Sequence, residues 1–262
     1  MRLVSTINEF QGNLATRFLS DQWLGGIDFS QLTMLGGCIL NALYDLPFSD
    51  TTEQDVNLIY LSNNGADFEI IVMNTIIKLQ AMASKCFKEE LKVEKTPGRH
   101  RYDVVLPCGV KLNFFLISTG NSKSPLSHVL HNFDMDISQV AFTGDRIIST
   151  FAFLQALATK SFIVYSLHAE TSKNVCNRIA KYCKRGFTLL EPINFDGSFD
   201  MLMKQLDIPL YRIEYQDFTD DDGEVQFMTT EYWRGYARNI DTFQLQEGFI
   251  AAACSTTLEY KQ

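Results

Sequence analysis

A chain of 262 residues is long enough to bury a full core as one large domain or two modest ones. Hydrophobic residues make up 46% and charged residues 21%, the proportions of an ordinary globular protein, which exclude long disordered tracts. A formal net charge of −8 repels phosphate backbones, so nucleic acid is expected to be met only through a local basic patch.

Val4, Ile7, Phe10, Leu14 and Phe18 recur at three- and four-residue spacing, which predicts a helix ending near Ser20. Gln31 to Leu35 reads as a short strand that runs into Gly36-Gly37 and a helix over Cys38 to Tyr44. Pro47 and the polar run Ser49 to Gln54 separate this from a strand over Val56 to Leu61. Phe68, Ile71, Val72, Thr75, Ile76, Leu79, Met82 and Ala83 define one face of a long helix from Asp67 to about Phe87. Tyr102 to Leu106 and Val110 to Ile117 flank Pro107-Cys108-Gly109, a pattern of two antiparallel strands around a tight turn. Ser138 to Thr143 and Arg146 to Ser149 are further strand candidates.

Helical patterns follow: Thr150 to Thr159, then Ser172 to Arg185, where Val175, Cys176, Ile179, Ala180 and Cys183 form a face and Gly186 supplies a left-handed stop. Ser198 to Leu206 and Thr230 to Asn239 are also expected as helices. The order predicts an α/β (α+β) fold, a small mixed sheet flanked by helices over residues 1–148 and a helix-rich C-terminal lobe over 149–262.

The six cysteines form no CxxC pair, and four lie in apolar surroundings or on a helical face, which fits reduced thiols better than disulfides or zinc. The segment MRLVSTINEF lacks an apolar core of signal-peptide length, and no run reaches the roughly 18 apolar residues of a membrane span. A soluble protein of the cytoplasm or nucleus, without membrane contact, is expected.

Within LGGCILNALYDLPFSDTTEQDVNLIYL (residues 35–61), a Gly-Gly pair leads into a helix, and Asp55 and Asn57 sit two positions apart at the start of a strand. Alternate strand positions share a face, so both could address one divalent metal, while the glycines let backbone approach a phosphate. Gly-Gly pairs also occur in ordinary turns. The stretch resembles the signature of polymerase-beta-like nucleotidyltransferases: hydrophobic-Gly-Gly, a helix, then a strand bearing Asp-x-Asp or Asp-x-Glu. It departs from that signature at Asn57 and in a longer linker between Gly37 and Asp55.

Downstream, VKLNFFLI (110–117), HNFDMDISQVAFTGDRI (131–147) and NRIAKYCKRGFTLLEP (177–192) resemble, in that order, nucleotidyltransferase-like domains found alone or beside other modules in eukaryotes and large viruses. The resemblance covers roughly residues 30–192. It implies a third metal-facing position at Asn113, where active enzymes hold a third acid. With Asp55 as the only acid among Asp55, Asn57 and Asn113, two-metal phosphoryl transfer is compromised, because Mg²⁺ prefers anionic oxygens. Asp103 on the neighbouring strand would compensate if it faced the same pocket, but a solvent-facing position is the favoured expectation. Asp134 and Asp136 invite a metal reading by the same i, i+2 spacing, but a structural role ranks above it, in which they cap amides or pair with a base such as Arg146.

Arg178, Lys181, Lys184 and Arg185 recur opposite the apolar face of their helix; a solvated face is the commoner explanation, and phosphate contact through Lys181 and Arg185 the alternative. The acidic run DFTDDDGE fails as a calcium loop, because placing Gly223 sixth puts Phe218 first and Thr229 twelfth. His100, His128, His131 and His168 lack the spacing of a metal site or a hydrolase triad.

The function expected is that of a degenerate, inactive nucleotidyltransferase-like domain acting as a subunit that binds a protein partner or a nucleotide. The alternative is an active enzyme moving a nucleoside monophosphate from an NTP to RNA, a nucleotide or a protein, with Gly36 and Gly37 at the phosphates, Mg²⁺ on Asp55, Asn57 with Asn113 or Asp103 completing a weakened site, and NTP as the cofactor. A third is a purely structural subunit presenting Tyr232, Trp233 and Tyr236 to a partner.

Overall fold

The fold is described from a computed structural model, over residues 2–86, 90–97, 100–118, 124–165, 172–190, 195–196, 208–219, 225–237 and 244–245. The chain divides into two units, Met1–Lys160 and Ser161–Gln262.

The first unit begins with helix α1 (Ile7–Phe18), whose N-terminal Thr6 hydroxyl accepts the Glu9 N–H while the Glu9 carboxylate accepts the Ser5 N–H. The first bond satisfies an amide that the first turn leaves without a helical partner, and the second ties the residue before the cap back to the helix. Phe10, Leu14 and Phe18 are buried as their spacing predicts, whereas Ile7 is exposed. After two short 3₁₀ turns come β1 (Leu32–Leu35), α2 (Gly37–Leu43), β2 (Val56–Leu61) and α3 (Gly65–Cys86). Then follow β3 (Lys92–Lys95), β4 (Arg101–Val105), β5 (Lys111–Ile117), α4 (Pro125–His131), β6 (Val140–Phe142), β7 (Ile147–Ser149) and α5 (Phe151–Thr159).

The seven strands form one sheet in the order β3-β4-β5-β2-β1-β6-β7, in which β2 and β5 run parallel and every other pair antiparallel. The expected β4–β5 hairpin around Pro107-Cys108-Gly109 is present, with Gly109 at φ +88°. One face carries Met34, Val56, Leu58, Val104, Leu112, Phe114 and Phe142, all fully buried. Phe142 packs on Phe10 of α1 with ring centroids 5.2 Å apart, and Phe68 of α3 stacks on Tyr60 at 6.4 Å. The opposite face carries Leu35, Ile59, Leu61, Phe115, Ile117 and Ala141, covered by Leu126, Val129 and Leu130 of α4. A strand with both faces covered is apolar along its length, which is why Asn57 and Asn113 stand out on β2 and β5.

The first unit extends past the boundary expected at 148/149. Thr150 caps α5 by accepting the Phe153 N–H, its backbone N–H donates to Gln139 O at 3.1 Å, and its hydroxyl donates to Gln139 Oε1 at 2.6 Å. Phe153, Ala156 and Leu157 are buried, so α5 belongs with the sheet.

The second unit contains β8 (Ser161–Phe162), α6 (Ser172–Lys184), β9 (Thr188–Leu189), β10 (Phe195–Asp196), β11 (Ile208–Thr219), β12 (Val225–Ala237) and β13 (Gln244–Leu245). β8 pairs parallel with β9, β10 antiparallel with β13, and β11 antiparallel with β12. The segment expected as a helix from Thr230 is instead strand as far as Ala237. TTEYWRGYA is rich in β-branched and aromatic residues, which favour a pleated surface. Ser198 to Leu206 lies outside the described residues. α6 ends as predicted at Gly186 (φ +86°), with Phe187 N–H on Tyr182 O and Gly186 N–H on Cys183 O. Its buried face is Val175, Cys176, Ile179 and Tyr182; Ala180 and Cys183 are exposed, a one-position rotation from the expected stripe. No helix among the described residues is long and apolar enough to cross a membrane.

Candidate functional site

The register of the sheet assembles a polar cluster from residues far apart in sequence. Asn57 pairs with Asn113 in the parallel β2–β5 ladder and with Leu35 in the antiparallel β1–β2 ladder. Asp103 stands opposite Asn113, and Ala141 opposite Leu35. Directly paired residues share a face of the sheet, so Asp103, Asn113, Asn57, Leu35 and Ala141 form one row. Asp55, two residues before Asn57, joins the same side.

The side chains meet. The Asn113 amide nitrogen donates to Asp55 Oδ2 at 3.3 Å and to Asn57 Oδ1 at 3.2 Å. Asn113 is 6% exposed, Asn57 half-buried and Asp55 exposed, so the cluster opens to solvent at its acidic end. A buried amide needs its hydrogens satisfied, and here the carboxylate and the second amide satisfy them.

Gly36 closes the row from the side of β1. It has φ +80° and ψ −137°, a conformation suited to glycine, and its N–H donates to Val140 O at 3.1 Å. Because Leu35 pairs with Asn57, Gly36 and Gly37 border the end of β2 that carries Asp55. Ile39 and Leu40 already donate their N–H groups to Gly36 O, so α2 offers fewer free amides to a phosphate than its sequence suggested.

Asp103 does not face away from the cluster, as expected, but shares its face. Its carboxylate is held by Arg101 Nε at 2.8 and 3.1 Å, and the Arg101 guanidinium lies 5.0 Å from the Phe115 ring centroid. Sequence reading missed Arg101; the signal was its i, i+2 relation to Asp103 on one strand. Lys111 occupies the place before Leu112 that Asp55 occupies before Val56, and Val56 pairs with Leu112, so a cation borders the acidic end.

The remaining candidates stand elsewhere. Asp136 is buried and accepts the Ile137 N–H at 2.7 Å in a 3₁₀ turn, a local structural role; Asp134 is half-buried. Arg146 pairs with Asp145, not with Asp134 or Asp136, among the contacts present. In the second unit, Lys181 and Arg185 both lie against Tyr182, 5.5 and 5.4 Å from its ring centroid. Arg185 is 5% exposed, so it is not part of a solvated stripe: the chain turns at Gly186 and leaves it packed beside that ring. Tyr232, Trp233 and Tyr236 lie on β12.

The bonded cluster offers the Asp55 carboxylate and two amides, and Asp103 on the same face is held by Arg101, which falls short of the several anionic oxygens that a pair of Mg²⁺ ions requires. Among the described residues no three His, Cys, Asp or Glu side chains gather into a metal-binding group.

The chain is similar to CCA-adding enzymes. A Thermotoga maritima CCA-adding enzyme complexed with tRNA matches over 73% of this chain and 44% of that one, at 15% identity and a TM-score of 0.44. A CCA-adding enzyme in complex with CTP matches at 16% identity and a TM-score of 0.45 over the same shares. A tRNA nucleotidyltransferase with a primer tRNA and an ATP analogue matches at 17% identity and 0.39, over 62% and 44%. This chain spans less than half the length of these proteins. No protein-family profile matches the sequence, and no curated protein is similar to it.

Proposed function

We propose that the first unit is a nucleotidyltransferase-like domain with a degenerate site, serving as a subunit that binds a nucleotide or a protein partner and does not transfer nucleotides. The observation that carries this is the bonding of the Asn113 amide to both Asp55 and Asn57. The amide N–H directed at Asp55 takes up one carboxylate lone pair that would otherwise face a metal, and Asn57 contributes no charge. Asp103, the next carboxylate in the row, is committed to Arg101. Asp55 is then the single acid on which one Mg²⁺ could be held, with water and phosphate completing its shell.

Thermal unfolding of the full chain with each NTP, with and without Mg²⁺, tests the binding role, since a ligand that prefers the folded state raises Tm. ATP and CTP are the first probes. A rise with an NTP supports a nucleotide-binding subunit, and no rise with any leaves the protein-binding role. A transfer assay with labelled NTP is expected to show no turnover; turnover abolished by Asp55→Ala would overturn the reading. The double variant Asn57→Asp/Asn113→Asp is expected to gain Mn²⁺ affinity, and its failure to do so would show that these positions do not face a metal site.

A further inference from the structure

Helix α3 buries one face under the sheet and leaves a second apolar face uncovered. Ile70, Met73 and Ile77 are 60%, 46% and 62% exposed, although isoleucine and methionine are usually buried. Their 3- and 4-residue spacing is that of a helix-pairing seam, and exposed Ala66 and Ala81 extend it at either end. β3 widens the patch: it runs beside α3, tied by Lys95 to Glu69 at 2.9 Å and by the Leu91 N–H to Gln80 at 2.9 Å, with Val93 between the ties and 45% exposed.

We propose that this face pairs with its equivalent on a second copy of the chain, α3 against α3, antiparallel about a two-fold axis between Met73 and Asn74. Such an axis places Ile70 against Ile77 of the second copy and Ala66 against its Ala81, so the seam is self-complementary, as a two-fold interface requires. The charges follow the same symmetry. Asp67 and Lys78 flank the seam on one side and both are exposed; neither forms a salt bridge among the described residues, and Lys78 stands near enough to Asp28 to act on its carboxylate electrostatically. The axis sets Asp67 of each copy beside Lys78 of the other, and brings the two Asn74 side chains together, where paired amides fix register. At 22 residues α3 is about 33 Å long, and two such helices side by side with Val93 at the margin bury on the order of 1,000 Å² in total, the lower bound of a specific interface.

Sedimentation of the full chain over a wide concentration range is expected to show the mass rise from 29.8 kDa to twice that value, and Ile77→Asp to abolish the rise. Asp67→Lys alone and Lys78→Asp alone set like charges against each other at both ends, and each is expected to weaken self-association severalfold. A mixture of the two single variants restores opposite charges at both ends and is expected to form the dimer again. All three positions are exposed, and unchanged melting temperatures would show that the variants fold. A chain that stays monomeric at every concentration, a dimer indifferent to Ile77→Asp, or a mixture that fails to recover association would each overturn the proposal.

Discussion

Asn113 donates from its side-chain amide to the carboxylate of Asp55, a residue 58 positions earlier, at 3.3 Å. The bond exists because β2 and β5 run parallel in the register that sets Asn57 beside Asn113. It ties the acidic end of the cluster to a buried strand, and its chemistry depends on an amide being present there.

Asn113→Asp replaces that donor with a second carboxylate at a buried position beside Asp55. Burial and like charge both disfavour ionisation, so the variant is expected to lose about 1–3 kcal/mol at neutral pH. Urea unfolding should show the loss shrinking toward pH 4 to 5, roughly where carboxyl groups protonate, and added Mg²⁺ should recover part of it at neutral pH if the paired acids hold the ion.

Two glycine-to-alanine substitutions should have opposite signs, although a methyl group at either position would meet nothing within 4 Å. Gly36→Ala forces a side chain into φ +80°, with an expected cost of about 1–3 kcal/mol. Gly12 lies exposed inside α1 with no positive φ, so Gly12→Ala is expected to stabilise the first unit by about 0.5–1 kcal/mol. Chemical denaturation of both variants checks the contrast.

Tyr44 is fully buried, and burial pushes its phenol up to about 12. Its hydroxyl accepts from Lys160 Nζ at 2.6 Å, linking the end of α5 to the end of α2. A phenol that ionises later in the folded chain than in the unfolded one contributes stability that is complete below about pH 10 and is lost as pH rises through about 12. Tyr44→Phe is therefore expected to lower stability at neutral pH by about 1 kcal/mol through the lost hydrogen bond. Its stability should also fall less steeply than the parent's above pH 10, as followed by alkaline unfolding.

Much of the first unit was legible because its pattern is local. β2 begins and ends where the apolar run begins and ends, and the single Asn on that strand was visible against it. α4 was missed, although Pro125 at its first turn and the Leu126, Val129, Leu130 spacing signal a helix; at seven residues it is too short for periodicity to stand out. β3 was missed because all four of its residues are exposed and three are charged, the usual composition of an edge strand. On α6, Tyr182 and Cys183 are adjacent candidates for the same face, and only packing selects the larger side chain. The clustered residues Asp55, Asn57 and Asn113 stood out one by one in the sequence, but the donation that joins them depends on inter-strand register, which no single segment encodes.

The parallel β2–β5 ladder also dates the site within folding. A helix such as α1 can form from neighbours in sequence, whereas the Asn113 bonds close loops spanning 56 and 58 positions, and long loops slow the search for native contacts. A nascent chain that has emerged only as far as Val105 already carries Asp55 and Asn57, yet it holds no cluster, because Asn113, which bonds to both, is still inside the ribosome.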